Sequence, residues 1–284
     1  MRPLILLILF GLLTYVNAIF HPFVHDDIVF ILKNPYIAQL DIFSILKQTA
    51  LPTQNIPLVN SYYRPFLELI YRLAYKLFEF NPYGFHLINV LLHAANALFV
   101  FGIFRLLLKG KEGLCFVIAA IFLLHPVQSE SVAAFAGISN LMYVFFCLGS
   151  LYCFIRSAQS IITFRRFCLY IFALMLFFLG CLSKEQAIIL PLLISLVSVI
   201  YRKELTVDSR QLILLNAGFY VVLAGYFYLR HLFVGASLLA LVKFDYEMSL
   251  RLLSIPRTLL TYLKILLVPT GLHYYRSTDI LLPW

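Results

Sequence analysis

Two adjacent aspartates, Asp26 and Asp27, follow the first long apolar segment of the chain, at the end of the stretch His21-Pro22-Phe23-Val24-His25-Asp26-Asp27. Paired carboxylates at a membrane surface indicate proton-transfer chemistry, because a carboxylate can act as a general base toward a hydroxyl group. Neighbouring helical residues point in different directions, so only one of the two can face an acceptor. The alternative is that they cap the turn from Ile28 to Lys33.

Two further polar clusters are predicted at the same membrane face. One is His125-Pro126-Val127-Gln128-Ser129-Glu130-Ser131, and the other is Ser183-Lys184-Glu185. Each has a local explanation, since Ser129 and Glu130 suit the first turn of a helix and Lys184 can extend toward lipid headgroups. Three charged clusters on one face together favour a functional site.

The composition indicates a membrane protein. The chain has 284 residues, of which 62% are hydrophobic and 12% are charged, whereas soluble domains have about 45–50% and about 25%. The apolar residues form runs of about 17 to 25, the length of a membrane-spanning helix, without the alternation of a β-barrel. We therefore expect an all-α integral membrane protein built as a multi-span helical bundle. The predicted spans are 3–20, 85–108, 114–125, 139–155, 167–182, 187–201 and 211–230.

The distribution of charge predicts the topology. Arg2 and the loops after alternate spans carry ten cations and three carboxylates, a net charge of +7, while the rest of the chain carries only +2. By the positive-inside rule the first group is cytoplasmic, and the loop from His21 to Gly84 faces outward. Most of the net charge of +9 thus reports topology, and we expect no nucleic-acid partner.

The N-terminal segment allows two interpretations. Arg2, the apolar core from Leu4 to Leu13 and the triplet Val16-Asn17-Ala18 fit a cleavable signal peptide. The apolar run continues to Phe20 and is long enough to span, which favours an uncleaved anchor. Both interpretations leave the first loop on the outer side.

The outer loop is long enough to contain helices of its own. One is predicted over 41–49, and a second begins at Arg64-Pro65 and continues to Phe78, with proline at its first position. The second places a charged face opposite an apolar face, which predicts an interfacial helix with its charges in solvent. A further amphipathic segment, with Ser254, Arg257, Thr261 and Lys264 on one face, is either another lateral helix or an eighth span. The charged face consists of Glu68, Arg72, Lys76 and Glu79, and the apolar face of Leu69, Ile70, Leu73 and Leu77.

The second predicted span carries a polar stripe. His86, Asn89, His93 and Asn96 follow helical spacing and share one face. Polar groups in a membrane helix usually point toward other helices, so interhelical hydrogen bonds are the first interpretation and the wall of a cavity is the second.

A series of short motifs resembles a known family. The chain is similar to the transmembrane-and-TPR-containing O-mannosyltransferases and their bacterial relatives, which are C-type (GT-C) glycosyltransferases. The resemblance runs from about Phe20 to about Tyr275. The motifs, in order, are Asp26-Asp27, Asn34-Pro35, Tyr63-Arg64-Pro65-Phe66, Gly84-Phe85-His86-Leu87 with Asn89 and His93, Leu124-His125-Pro126-Val127 with Glu130 and Val132, and Leu182-Ser183-Lys184-Glu185.

The resemblance implies a fold, a reaction and a location. It implies one GT-C-like transmembrane domain over 1–284 that transfers a sugar from a polyprenyl-phosphate carrier to a protein or glycan acceptor. The transfer would occur on the outer or luminal face of a multi-pass protein, in a bacterial inner membrane or, in a eukaryote, in the endoplasmic reticulum. An aspartate of the first outer loop is the usual catalytic base in this family.

The same resemblance suggests a role for each candidate residue. We expect Asp26 to be the base and Asp27 to be the second candidate. Because the departing lipid phosphate gains negative charge, cations must hold it. We expect no metal or other cofactor, although His25, Asp26 and Asp27 could hold a divalent ion as the alternative. The candidate phosphate partners are Arg64, Lys184 and Arg230, and the other predicted substrate-binding residues are His86, His125, Glu130 and Glu185.

Two features differ from the usual family pattern. After the glycine of the fourth-span motif the family usually has an arginine, whereas this chain reads Gly137-Ile138-Ser139-Asn140. The chain also reads to Trp284 without a 34-residue helical repeat, so we expect the front part of a longer family architecture without its TPR repeats. These differences leave open a non-catalytic protein of the same fold that binds a lipid phosphate or a partner. A transporter is a third hypothesis, without the paired half-helices or inverted repeats that would support it.

Overall fold

The computed structural model of this chain describes residues 2–47, 62–234 and 246–272. All regular elements within these ranges are helical, which confirms the predicted all-α class. The α-helices are α1 (Arg2–Ile19), α2 (Ile42–Lys47), α3 (Pro65–Phe78), α4 (Pro82–Leu107), α5 (Glu112–Leu124), α6 (Ser129–Ala133), α7 (Ile138–Ala158), α8 (Thr163–Ser183), α9 (Leu190–Ile200), α10 (Ser209–Val234) and α11 (Tyr246–Leu267).

Five helices of the described ranges are long and apolar enough to cross a membrane. They are α1, α4, α7 with the short turn Phe135–Gly137 before it, α8 and α10, and they match the first, second, fourth, fifth and seventh predicted spans. The predicted multi-span architecture is therefore confirmed.

The helices at the third and sixth predicted spans are too short to cross a membrane alone. α5 has 13 residues, about 20 Å of helix, which is short of the roughly 30 Å hydrocarbon core. It reaches spanning length only together with Pro126–Ala133, across a bend of 46°. The sixth predicted span falls on Glu185–Ile200, which is also shorter than the five spans. α11 is not among the five, so of the two interpretations left open for this segment, that of an eighth span is not supported.

Helix α4 lies at the centre of the packing. It packs against α1, α5 and α7, and α7 in turn packs against α8. Where α7, α8 and α10 meet, Phe154, Phe177 and Phe219 are fully buried, and the ring of Phe219 lies 5.7 Å and 5.6 Å from the other two. Such aromatic contacts fix the relative positions of helices through large buried surfaces.

Polar side chains of α4 join it to its neighbours. Asn96 Nδ2 donates to the carbonyl oxygen of Leu141 at 3.0 Å, and His93 Nε2 lies 3.1 Å from the carbonyl oxygen of Leu123. Asn89 binds the turn before α7, as described below. Interhelical hydrogen bonding, the first interpretation of the polar stripe, is thus correct for these three residues.

The helix ends form two groups, here called the basic end and the loop end. The basic end holds the ends of α4 and α7 and the start of α10, joined by hydrogen bonds from Gln159 Nε2 to the carbonyl oxygen of Leu106 (3.5 Å) and from Thr206 N to that of Ala158 (2.9 Å). It carries the cations that the charge count grouped together. The loop end holds the first loop, the starts of α4 and α7, and the start of Glu185–Ile189.

Helix α3 agrees with the prediction in its bounds but not in its faces. Glu68 and Arg72, expected in solvent, are 2% and 0% exposed. Arg72 Nη1 donates to the carbonyl oxygen of Gln39 (2.7 Å) and to Ser44 Oγ (2.9 Å), because the preceding part of the loop folds over this face. The prediction of a solvated charged face was wrong for these two residues. Leucines of the opposite face, Leu73 and Leu77, are exposed, as an interfacial helix requires.

Candidate functional site

Asp27, in the first loop, is fully buried and binds the turn before α7. The chain turns at His25, which has a positive φ of 49°, and this turn directs the Asp27 side chain inward. Its Oδ1 accepts from Ala136 N at 2.6 Å, and its Oδ2 accepts from Phe135 N at 3.2 Å and from Val24 N at 3.3 Å. Asp27 therefore caps a turn distant in sequence, and its side chain does not cap the turn from Ile28 to Lys33, which was the alternative interpretation.

The environment of Asp27 has opposing effects on the pKa of its carboxyl group. Burial raises the pKa of Asp27, while the three backbone N–H groups and the nearby His86 act in the opposite direction. A carboxylate that already accepts three hydrogen bonds has few lone pairs left for a substrate proton. Asp27 is thus suited to holding the turn.

Asp26 differs from its neighbour in both exposure and contacts. It is partly exposed, and no side chain or backbone group of the described ranges forms a hydrogen bond with its carboxylate. Of the adjacent pair, Asp26 is the one that an acceptor can approach.

The turn before α7 is also fixed from the other side. Asn89 Nδ2 donates to the carbonyl oxygen of Ala134 at 2.8 Å, with those of Val132 and Ser131 at 3.4 Å. A Cβ atom at Gly137 would lie 2.3 Å from the carbonyl oxygen of Ser131, so this close approach requires glycine. The N–H groups of this turn donate to Asp27, and the carbonyl oxygen of Ala134 accepts from Asn89. The turn is therefore held from both sides.

Arg64 and Glu185 form a bidentate ion pair at the loop end. Arg64 Nη2 donates to Glu185 Oε2 at 2.6 Å, and Arg64 Nε donates to Oε1 at 3.1 Å and to Oε2 at 2.9 Å. The two side chains are 17% and 26% exposed, and the guanidinium group of Arg64 also lies over the ring of Tyr62 at 4.4 Å. Arg64 directly precedes α3 and Glu185 follows α8, so the pair joins the outer loop to the bundle.

Lys184 lies beside this ion pair. Its Nζ donates to Asn140 Oδ1, and Asn140 Nδ2 donates to Ser131 Oγ at 3.1 Å. Burial and, to a smaller extent, the charge of Arg64 lower the pKa of Lys184 to about 8, while Glu185 and Glu130 act in the opposite direction. The ammonium group is therefore still mostly charged at neutral pH, in a partly dehydrated position where it attracts anions strongly.

Tyr71 is a further buried polar residue of this region. It is fully buried on α3, within electrostatic range of Asp26, Asp27 and Arg64. Burial raises the pKa of Tyr71 well above its usual value, and the charge of Glu68 raises it further, so the hydroxyl group stays protonated.

The other predicted site residues lie in different surroundings. Arg230 is buried near the end of α10, where Tyr226 interacts electrostatically with it, with Arg64 and with Glu185. Glu130 is exposed on α6. His86 is fully buried near Asp27, and His125 Nε2 lies 2.9 Å from the carbonyl oxygen of Leu266 on α11. The structure therefore brings Arg64, Lys184, Glu185 and Arg230 together, with Glu130 near Lys184, and directs His125 toward α11.

Two residues of this region were not predicted as site residues. Asn140 accepts a hydrogen bond from Lys184, and Tyr71 is buried within electrostatic range of the two aspartates and Arg64. Asn140 stands in the motif that differs from the family pattern, which could have marked it as a candidate. Tyr71 lies seven residues after Arg64, a spacing that places residues on the same side of a helix. Ile138, at the position where the family usually has arginine, is fully buried with Phe135 and Met142.

No three His, Cys, Asp or Glu side chains of the described ranges gather within reach of one metal ion. His25, Asp26 and Asp27 do not form such a group, because Asp27 points to backbone donors. The expectation that no metal takes part stays a prediction.

Fold and site together define a multi-span helical membrane protein with a partly buried group of charges at one end. Its sequence is similar to protein O-mannosyl-transferases. It is 28% identical over 195 residues to protein O-mannosyl-transferase F38B6.6 of Caenorhabditis elegans (66% of this chain, 26% of the relative). It is 31% identical over 191 residues to Tmtc1 of Drosophila melanogaster (66% and 21%), and 36% identical over 98 residues to TMTC2 of Homo sapiens (34% and 12%).

These matches confirm the resemblance seen in the motifs. The matched segments amount to about a quarter or less of the length of these relatives. No protein-family model matches the chain, and no solved structure matches it significantly.

Proposed function

We propose that this chain is a membrane glycosyltransferase that moves a sugar from a polyprenyl-phosphate carrier to a hydroxyl acceptor, with Asp26 as general base. The observation that carries the proposal is the division of labour within the aspartate pair. Asp27 accepts three backbone hydrogen bonds and holds the turn before α7, and this leaves the accessible Asp26 beside a fixed framework. Preorganised groups of this kind lower a barrier without reorganising during the reaction.

The proposed step is a single displacement with inversion at the anomeric carbon. The acceptor oxygen forms a bond to that carbon as its proton passes to an Asp26 carboxylate oxygen, and the bond from the carbon to the phosphate oxygen breaks. The lipid phosphate leaves with the electron pair. Lys184 and Arg230 are the cations proposed to hold its negative charge, and Arg64, already oriented by Glu185, presents its remaining N–H groups.

The similarity to named relatives suggests which sugar and which acceptor this reaction uses. Since the similar proteins are called protein O-mannosyl-transferases, we propose mannose as the sugar and a Ser or Thr hydroxyl group of a protein as the acceptor. The two sides differ in net charge, +7 against +2. This difference supports a topology in which the loop end faces the outer or luminal side of the membrane. In a eukaryotic cell this face would be that of the endoplasmic reticulum lumen.

Transfer of labelled mannose from a polyprenyl-phosphate donor to an acceptor peptide, in detergent and in sealed vesicles, tests the proposal. Asp26→Asn keeps the size of the side chain but removes the proton acceptor, so we expect kcat to fall by roughly 10² to 10⁴ while donor affinity changes little. The matched control is Glu79→Gln, a change at an exposed carboxylate of the same loop. Full activity of the Asp26→Asn enzyme would refute the general-base role.

One observation favours a second candidate, a non-catalytic protein that binds a lipid phosphate. Ile138 is fully buried in an apolar cluster at the position where the family usually has arginine, so this chain lacks a cation there. This candidate predicts that the wild-type protein binds the polyprenyl-phosphate sugar without transferring it. Binding and transfer measured on one preparation distinguish the two.

A further inference from the structure

A groove runs along the membrane-spanning helices, away from the candidate site. It lies between α1, α4 and α7 and encloses about 730 Å³, within the range of small-molecule sites. Its inner end is marked by Ala95 of α4 and Phe145 of α7, and its mouth by Arg105 and Arg156 of the same helices. Leu4 of α1 contributes to the third side.

The dimensions of the groove match one leaflet of a bilayer. Arg105 follows Ala95 by ten residues and Arg156 follows Phe145 by eleven, which at 1.5 Å per residue is about 15 to 17 Å of helix. This is about half of the roughly 30 Å hydrocarbon core. The walls between these points are apolar and aromatic, with Phe99 and Tyr152 among them.

The two arginines at the mouth can accept an anion. Arg105 is more than half exposed, and its ion pair with Glu112 is long, at 3.7 Å, and equally exposed, so it contributes little and exchanges readily. Arg156 forms no ion pair or side-chain hydrogen bond with the described residues. Guanidinium groups suit phosphate because they offer parallel N–H donors.

From these observations we infer that the groove binds one anionic phospholipid, with an acyl chain against α4 and α7 and the phosphate between Arg105 and Arg156. Basic pockets between membrane helices bind anionic headgroups in this way. The surrounding basic end, with its net charge of +7, adds a long-range attraction that a zwitterionic lipid does not feel.

The position of the groove argues against the sugar carrier as occupant. Arg105 and Arg156 lie near the ends of α4 and α7, whereas the cations of the candidate site lie near the starts of these helices, about 20 residues or 30 Å away. A carrier phosphate held at the groove would thus place its sugar far from Asp26. The inference therefore does not rest on the proposed function.

Native mass spectrometry of the purified protein, incubated with equal amounts of phosphatidylglycerol and phosphatidylcholine, tests the inference. We expect one retained phosphatidylglycerol, preferred about tenfold or more, because the choline cation of phosphatidylcholine cancels the attraction that both arginines exert on a net negative headgroup. The double variant Arg105→Gln/Arg156→Gln should lose this preference. A matched control, Arg165→Gln/Arg210→Gln, removes two exposed arginines of the same end outside the groove and should keep it.

A second variant tests the apolar part separately. Ala95→Phe fills the inner end and leaves both arginines in place, so the adduct should be lost, with folding checked by circular dichroism and gel filtration. Should this variant not fold, the pair of double variants decides. Three results would overturn the inference. The control double variant loses the preference equally, the wild type shows no preference for phosphatidylglycerol, or folded Ala95→Phe still retains the lipid. Displacement of phosphatidylglycerol by an equimolar polyprenyl phosphate would assign the groove to the carrier instead and also overturn it.

Discussion

The two ends of the bundle use charge in different ways. At the loop end, Asp27, Arg64, Lys184 and Glu185 are buried or mostly buried and bind defined partners. At the basic end, pairs such as Lys109 with Glu204 are largely exposed. Dehydrated charges must be held by specific partners, whereas exposed ones need none. Specific chemistry is therefore expected at the loop end, and orientation and lipid contact at the basic end.

The largest effect on stability is expected from Asp27. Asp27→Ala removes the acceptor of three backbone N–H groups, two of them in the turn before α7, and should lower the free energy of unfolding by about 2–4 kcal/mol. Asp27→Asn keeps one acceptor oxygen and should cost less. Thermal unfolding of the purified variants measures this, with Glu79→Gln as the exposed control. A melting temperature of Asp27→Ala equal to that of wild type would show that the loop end is not held as described.

The buried Glu68 of α3 should make the stability depend on pH. Burial raises the pKa of Glu68 from 4.5 to about 7, and the charge of Arg72 only partly offsets this. The stabilisation is therefore fully present below about pH 4.5 and is lost as the pH rises through about 7. Between pH 5 and pH 8 this group should account for about 2 kcal/mol.

Glu68→Gln should remove that dependence. Its melting temperature should change less between pH 5 and pH 8 than that of wild type, while the exposed Glu79→Gln keeps the wild-type slope. Identical pH profiles for wild type and Glu68→Gln would mean that burial does not perturb Glu68 in the folded protein.

A smaller effect separates the ion pairs of the two ends. A double-mutant cycle with Arg64→Ala and Glu185→Ala should give a coupling energy of about 1–2 kcal/mol, because the pair is bidentate and about four-fifths buried. The matched cycle with Lys109→Ala and Glu204→Ala, at 66% and 35% exposure, should give less than about 1 kcal/mol. Equal coupling at both ends, measured by thermal unfolding in one detergent, would contradict the contrast between them.

Much of this arrangement could be predicted from the sequence. Runs of apolar residues predicted seven spans, of which five are confirmed, because length and hydropathy are local properties. The spacing of Asn89, His93 and Asn96 predicted their interhelical hydrogen bonds for the same reason. The burial of Glu68 and Arg72 could not be predicted, since it depends on Gln39 and Ser44 reaching α3 from another part of the loop. The end of α5 has a local signal, since His125 precedes Pro126 and is extended, but the angle of the bend depends on how α6 docks.

The candidate site shows the same limit. Arg64, Lys184 and Glu185 were predicted on one face from topology alone, and the structure brings them together. The role of Asp27 needed the tertiary structure, because its partners Phe135 and Ala136 follow it by more than 100 residues. That contact, and the burial that accompanies it, distinguishes Asp27 from Asp26.

Chemical rescue tests the central claim, that Asp26 and not Asp27 is the base, most directly. Asp26→Gly leaves space where a small carboxylate such as formate can take the proton, so added formate should restore mannose transfer in a concentration-dependent manner. Asp27→Gly loses a structural contact that dissolved formate does not rebuild, and its activity should not respond. Rescue of Asp27→Gly with none for Asp26→Gly would contradict this account.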